Sequence, residues 1–461
     1  MLRIDGVDIC LAKVEGRKNC FSSVPFRLTK SRWVADYDVQ SCRLCDSKFN
    51  QLRRKHHCRQ CGDVFCNKCC KDKIILPQYN LMESERVCDS CKPIAVLVAQ
   101  SISSQPSEQH IAALEINDML QTSDGIRKAI QFGGMQAIVQ LAMIDNIEIR
   151  KCLLSAIHTL ATYPPLHEYM AITGAIKAVN SILKNTDKEY GSALYDGIGS
   201  LMIFCKAPNL KVQALEDGTL RSVLHLCEID DGTALLAVRT LSLILEDQAN
   251  HATVITGDDN ALQKLLRLTT SSDEHMQEIA LKCLSSLSMG SEWARHRIFQ
   301  EDFSSGKCIS KVLMQRPDNI QVMRNAVCLL ANLACSQQDQ ACLIDYLAIL
   351  TDLILDYGQC EDVEYQIARC IANTTRYENA AKALVKDLEK IIKYHLKSEN
   401  EKISCQAERA LCNLLSYCPD ETIDYLARNG AAEFLKVIAK TPEILKSISS
   451  HLKMYARELD T

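Results

Sequence analysis

Four CxxC pairs stand within about fifty residues of the chain: Cys42/Cys45, Cys58/Cys61, Cys66/Cys69 and Cys88/Cys91. One such knuckle offers two thiolates at a spacing suited to a single tetrahedral ion. A four-coordinate site therefore needs two knuckles, and the set reads as two tetrathiolate zinc sites. Directly ahead of the second knuckle runs Arg53-Arg54-Lys55-His56-His57-Cys58-Arg59, six basic or potentially basic residues in seven. A phosphomonoester near neutral pH carries a charge of about −1.5 to −2 and three strong acceptor oxygens. Arginine is the side chain best shaped to grip it, through paired charge-assisted hydrogen bonds. Arg54, Lys55, Arg59 and Arg86 supply several cations on chain pinned by metal. Asp36 is a carboxylate among them, able to accept from sugar-like hydroxyls and to repel an additional phosphate. A diphosphorylated headgroup with a lipid attached suits this compact site better than a polymer backbone, which would call for a longer basic stripe.

Trp33-Val34-Ala35-Asp36 lies ahead of the first knuckle, and Arg86-Val87-Cys88 leads into the last. With the eight cysteines in register, the R+HHCR run and the gap from Cys45 to Cys58, these elements resemble the FYVE zinc finger over roughly residues 32–93. The resemblance implies a cross-brace of short β-hairpins plus a C-terminal helix. In it Cys42, Cys45, Cys66 and Cys69 hold one zinc ion, and Cys58, Cys61, Cys88 and Cys91 hold the second. It also implies recognition of phosphatidylinositol 3-phosphate, with Arg54, Lys55, His56, His57, Arg59 and Arg86 on the phosphate side and Asp36 and His57 on the ring hydroxyls. The tip of the preceding loop, Gln51 and Leu52, would enter the bilayer. Only one of the two is apolar, and burying one Leu is worth roughly 1.5–3 kcal/mol, so stable attachment calls for a second contact. Two other readings of a cross-braced finger are a RING-like ubiquitin ligase and a Rab-binding relative without lipid affinity. All eight ligands here are cysteine, and both WxxD and the basic motif are present, which favours the lipid reading.

Around this motif the composition is ordinary: 461 residues, 53 Lys+Arg against 57 Asp+Glu, 47% apolar and 24% charged. That excludes global disorder and a polybasic nucleic-acid binder. Residues 1–30 carry charges throughout and no apolar signal region. The longest apolar stretch, Leu343 to Leu355, is broken by Asp345 and Asp352 and cannot span a bilayer. The expectation is a cytoplasmic chain with reduced thiols, peripheral on the cytosolic face of endosomal membranes. Residues 1–92 hold 18 Lys+Arg and 11 Asp+Glu. Two zinc tetrathiolates subtract charge from that balance, so specificity must come from the arginine pocket and not from general attraction.

About seven to eight repeats follow. Apolar-rich helical cores recur at Ser155–Ala161, Gly197–Met202, Arg239–Ile244, Lys282–Leu287, Cys328–Leu333, Arg369–Thr374 and Arg409–Leu414. Their equivalent positions, Thr159, Ser200, Leu243, Ser286, Asn332, Asn373 and Asn413, are spaced by 41, 43, 43, 46, 41 and 40 residues. That period falls in the armadillo and HEAT range. A second helix family is expected to begin near Gly134, Gly174, Gly218, Asn260, Gly306, Ala348, Lys386 and Gly430. Capping boxes are expected at Asp145/Glu148, Ser271/Glu274, Asp318/Gln321 and Ser398/Glu401. The pattern resembles armadillo repeats over roughly residues 110–461, which implies an all-α right-handed solenoid. The expected organisation is an N-terminal segment 1–30, the finger 31–93, a linker 94–109 and the repeats 110–461. Asparagines in armadillo proteins hold an extended peptide, so Asn332, Asn373 and Asn413 form a candidate peptide groove. Residues 93–461 hold 35 Lys+Arg against 46 Asp+Glu, favouring a basic protein partner. Thirteen scattered cysteines and the isolated histidines read as structural. With no Walker loop, GxGxxG, GxSxG or HExxH, the chain reads as a non-enzymatic adaptor in endosomal trafficking, with no nucleic-acid partner.

Overall fold

The computed structural model describes residues 2–428 apart from 5, 17, 18, 23, 31, 230, 258, 259, 337 and 338. It divides into two compact units, Met1–Ile244 and Leu245–Thr461. The first begins with a small hairpin, β1 (Leu2–Ile4) against β2 (Val7–Ile9). The finger contributes two more antiparallel pairs, β3 (His56–His57) with β4 (Val64–Phe65) and β5 (Lys73–Leu76) with β6 (Leu81–Arg86). Its apolar core is small: Val34, Val39 and Val64 are buried with Phe49 packed against them, and Phe65, Leu76 and Val87 are buried besides. So small a cluster leaves metal to supply much of the stability.

Helix α1 (Lys92–Ile102) starts immediately after Cys91, and α2 (Pro106–Met119) follows after a break of three residues. The stretch 94–109 read as a linker is therefore mostly helix. Ile94, Leu97 and Val98 are fully buried as α1 packs against α2, because Ile94, Leu97, Val98 and Ser101 recur at the helical period. Only Ser103, Ser104 and Gln105 connect the two. Residues 1–30 are equally integrated. Residues 13–15 pair with 27–29 through Glu15 N–H to Arg27 O at 2.8 Å and Thr29 N–H to Lys13 O at 2.8 Å. That ribbon bonds to the repeats on one side, Ala12 N–H to Ile130 O at 3.1 Å and Cys20 N–H to Thr173 O at 2.9 Å, and to the finger on the other, Leu28 N–H to Gln78 O at 2.6 Å. Gly133 (φ +96°) terminates α3 (Ser123–Phe132) and opens α4 (Gly134–Leu141). A Cβ there would fall 2.7 Å from Leu28 Cδ1, so the absence of a side chain makes room for the ribbon.

Each expected helical core lies in a helix. In the first unit α5 (Ile147–Ala161) packs on Ala193–Lys206, which packs on Asp231–Ile244. In the second, Glu274–Gly290, Ile320–Leu333, Glu361–Thr374 and Glu401–Tyr417 pack in succession. This is the nearest-neighbour stacking of a helical solenoid. The starts are corrected by one or two residues. Asn146, Asp273, Asn319 and Asn400 are the N-caps, each accepting from a first-turn amide. At these positions the short side chain reaches the second or third helical amide, whereas the Ser or Asp upstream stands one or two residues too early. Ser271 and Ser398 instead accept from the backbone of Asp273 and Asn400. The second family starts as expected through Ala261–Leu268 and, two residues late, at Cys308–Gln315. Ala348, however, falls inside one long helix, Gln340–Tyr357. Lys386 falls in a 3₁₀ turn, Val385–Asp387. Gly430 lies outside the described residues, as does His451.

A π-helix, Ile391–Leu396, precedes the last described repeat helix. It encloses His395, which is 0% exposed and, among the described residues, has no hydrogen-bond partner for either ring nitrogen. Burial alone lowers its pKa from 6.5 to about 4. The folded form thus binds the proton more weakly than the unfolded form. Stability from the neutral ring is full above pH about 6.5 and falls as pH drops toward 4, by up to about 3 kcal/mol. Hydrogen exchange at Ile391–Leu396 and Glu401–Tyr417, corrected for the intrinsic rate, should accelerate from pH 6.5 to 5. His395→Phe should remove that acceleration.

Candidate functional site: a cross-braced finger and its basic face

Cys42, Cys45, Cys66 and Cys69 form one cluster and Cys58, Cys61, Cys88 and Cys91 another, with all sulfurs of each within 4.8 Å of one another. Knuckles one and three thus share one site, and knuckles two and four share the other. Cys45 and Cys66 sulfurs are 3.7 Å apart, close to the ~3.8 Å edge of a zinc–sulfur tetrahedron with ~2.3 Å bonds. Cys66 N–H donates to Cys42 Sγ and Cys88 N–H to Cys58 Sγ, both at 3.3 Å. Such bonds suit sulfurs that carry thiolate charge. The donor sets therefore fit two zinc ions. Cys70 stays outside both, and burial followed by neighbouring thiolates pushes its thiol up to about 12, as befits a spectator.

The sites position the basic segment. Between them β3 is paired to β4 across His56↔Phe65 and His57↔Val64, and successive strand residues face opposite ways. His57 turns toward the WxxD segment: Nε2 lies 2.8 Å from Val34 O and 3.6 Å from Asp36 Oδ1. Trp33 stacks on its ring at 4.2 Å with an interplanar angle of 11°. Arg59 lies 5.0 Å over the Trp33 ring and pairs with Glu85 at 3.1 Å. Lys55 Nζ donates to Asp36 O. Asp36, Lys55, His57 and Arg59 are thereby brought together on one side.

His56 turns the other way and lines an open cavity of ≈ 510 Å³ together with Arg54 and Leu52. Desolvation first, then the charges of Arg86 and Arg54, hold His56 below its ordinary pKa. Arg54 is exposed and, among the described residues, makes no hydrogen bond or ion pair. Arg86 Nη1 donates to Cys70 O at 2.8 Å and Asn67 Oδ1 at 2.9 Å. Leu52 is 98% exposed. Asn50 Oδ1 accepts from Leu52 N–H at 3.0 Å and Arg53 N–H at 2.7 Å, an Asx turn that holds the tip out. Gln51 is exposed beside it.

Trp33, Asn50, Gly62, Asn67 and Glu85 are partners that the sequence reasoning left out of the site. Trp33 alone had a signal, as the first letter of WxxD. Gly62 (φ +74°) accepts from Val34 N–H at 3.0 Å, and a Cβ there would lie 1.9 Å from Arg32 O. It clamps the WxxD segment to the second knuckle.

The asparagines expected to line a peptide groove have a different role. Asn332 Nδ2 donates to Ser285 O at 3.2 Å and Ser288 Oγ at 2.8 Å, while its Oδ1 accepts from Arg369. Asn373 Nδ2 bonds Ala331 O at 2.8 Å and Cys335 Sγ at 3.3 Å, and Oδ1 accepts from Arg409 at 3.1 Å. Asn413 Nδ2 bonds Ala372 O at 3.1 Å and Thr375 Oγ1 at 3.2 Å. The amide donors are committed to the carbonyls at the end of the preceding repeat helix. The ladder joins repeats to one another, which corrects the expectation of a free backbone-binding row.

Gly62→Ala should impose a left-handed residue, at about 1–2 kcal/mol, plus a backbone clash. Chelator competition should show faster zinc loss from the Gly62→Ala chain, with a change in Trp33 fluorescence.

The chain is 39% identical over 79 residues to Lateral signaling target protein 2 homolog of Brugia malayi, covering 16% of this chain and 13% of that protein. It is 42% identical over 72 residues to RUN and FYVE domain-containing protein 1 of Homo sapiens, covering 16% and 10%. The chain thus spans about a tenth of the length of these curated relatives. Among solved structures, an engineered protein aligns with TM-score 0.49 at 19% identity, covering 79% of this chain and 98% of that one. A designed armadillo repeat protein aligns with TM-score 0.40 at 18% identity, covering 52% and 99%. Residues 32–95 match the family model of the FYVE zinc finger, and both four-cysteine zinc sites lie within that segment.

Proposed function

We propose that the chain is a non-enzymatic, membrane-recruited adaptor: the finger binds phosphatidylinositol 3-phosphate on the cytosolic face of endosomal membranes, and the helical repeats bind a protein. The observation that carries this reading is the division of the basic face by β3. One side offers Arg54, His56 and the neighbouring Arg86 around a cavity, suited to a phosphomonoester. The other offers Asp36 and His57 in mutual contact, suited to hydroxyls. Leu52 stands exposed at the cavity's rim, where an apolar side chain would meet the acyl region while the cations meet phosphates. The likeness to RUN and FYVE domain-containing protein 1 supports the reading of the finger. The negative balance of residues 93–461 keeps that part of the chain from an anionic surface and favours a basic protein partner. With the asparagines internally bonded, that partner is read by other residues of the repeats.

Liposome flotation of the full chain tests the lipid assignment. Wild type should float with phosphatidylinositol 3-phosphate vesicles and remain below with phosphatidylinositol vesicles. Arg54→Ala should lose about tenfold in affinity, the effect of one charge-assisted bond. Equal recovery of wild type on the two lipids would rule the assignment out.

A further inference from the structure

Two residues outside the basic motif stand on the wall of the headgroup cavity. Asn67 and Lys68 line it beside Arg53, Arg54 and His56. They are the two residues between the ligands Cys66 and Cys69, so one metal site pins their backbone from both ends. Cys69 N–H also closes the turn onto Cys66 O at 3.1 Å. Lys68 is exposed and, among the described residues, makes no ion pair or hydrogen bond. Among the described residues no carboxylate lines this cavity; Asp36 lies across β3, beside His57. A second contact ties the knuckle to the motif: Asn67 Oδ1 takes the Arg86 Nη1 hydrogen at 2.9 Å.

We infer that the knuckle Cys66-Asn67-Lys68-Cys69 completes the anion clasp, with Lys68 contacting the phosphomonoester and Asn67 positioning the Arg86 guanidinium. The inference rests on the headgroup reading above and deepens it. An ammonium is a compact charge with three donors and can meet a phosphate oxygen without a fixed approach. Its stem here springs from a metal-locked turn on the wall of this cavity. Asn67 holds the guanidinium before the ligand arrives, so less of its conformational freedom is lost on binding. The carboxylate-free wall receives the dianionic phosphate, and the Asp36 side is left to the hydroxyls.

The full chain, with zinc content verified for each variant, is titrated with three phosphatidylcholine vesicles. They carry phosphatidylinositol 3-phosphate, phosphatidylinositol, or phosphatidylserine matched for total charge. Lys68→Gln should weaken binding to the 3-phosphate vesicles about tenfold, leave the phosphatidylserine vesicles unaffected, and be largely rescued by Lys68→Arg. Asn67→Ala should cost a few-fold alone and nothing in an Arg86→Ala background, since the two act as one unit. Undiminished binding by Lys68→Gln, or an equal loss on phosphatidylserine, would overturn the Lys68 role. Additive losses for Asn67→Ala and Arg86→Ala would overturn the positioning role. Arg54→Ala separates the two levels. If it loses 3-phosphate binding while Lys68→Gln does not, the knuckle inference alone falls. If wild type does not distinguish the three vesicles, the headgroup reading falls and the inference with it.

Discussion

The interleaving of two metal sites is the constraint on which this molecule's chemistry depends. Cys42/Cys45 closes with Cys66/Cys69, and Cys58/Cys61 closes with Cys88/Cys91, so each site is completed only across the chain of the other. The basic run lies between the first knuckle and the second. Its end is ligated at Cys58, its strand is hydrogen-bonded to β4, and Gly62 ties the WxxD segment to the same knuckle. The few apolar side chains buried in the finger could not hold like charges at this density against their mutual repulsion. Metal ligation supplies the missing stability, and the surface is left to cations.

The second consequence is attachment. The last ligand, Cys91, is followed at once by α1, and α1 is buried against the first repeat helices. The N-terminal ribbon adds backbone bonds to both finger and repeats. Within Met1–Ile244 the finger is therefore docked on the repeats, and not tethered by a flexible chain. A docked finger loses little orientational freedom when its loop meets a surface, which offsets part of the weakness of a single Leu52. The repeats are in turn joined in the second unit by the Asn332, Asn373 and Asn413 ladder.

Legibility from sequence followed the chemistry. Cysteine spacing is a near-covalent constraint, so the metal sites could be read directly, and the pairing implied by resemblance is the one the geometry shows. The repeat period survived because buried apolar faces recur with it. What was misread had two uses for one pattern. An asparagine at a repeating helical position can hold a peptide or the neighbouring helix, and only the positions of Ser285 O, Ala331 O and Ala372 O decide. Polar Gln100 and Ser101 read as linker, yet Ser101 Oγ bonds Val98 O at 2.8 Å inside α1. Asn67, Glu85 and Gly62 carry no sequence signal of their role, because each acts through a residue distant in the chain.

On the proposed reading, the two zinc sites preorganise the headgroup-binding residues on both sides of β3. The most direct test is an NMR titration of the ¹⁵N-labelled full chain with a water-soluble, short-chain phosphatidylinositol 3-phosphate, against the same lipid lacking the phosphate. Saturable shifts are expected at the amides of Arg54, His56, His57, Arg59 and Arg86 with the phosphorylated lipid only. No shift at these positions, or the same shift with both lipids, would contradict it.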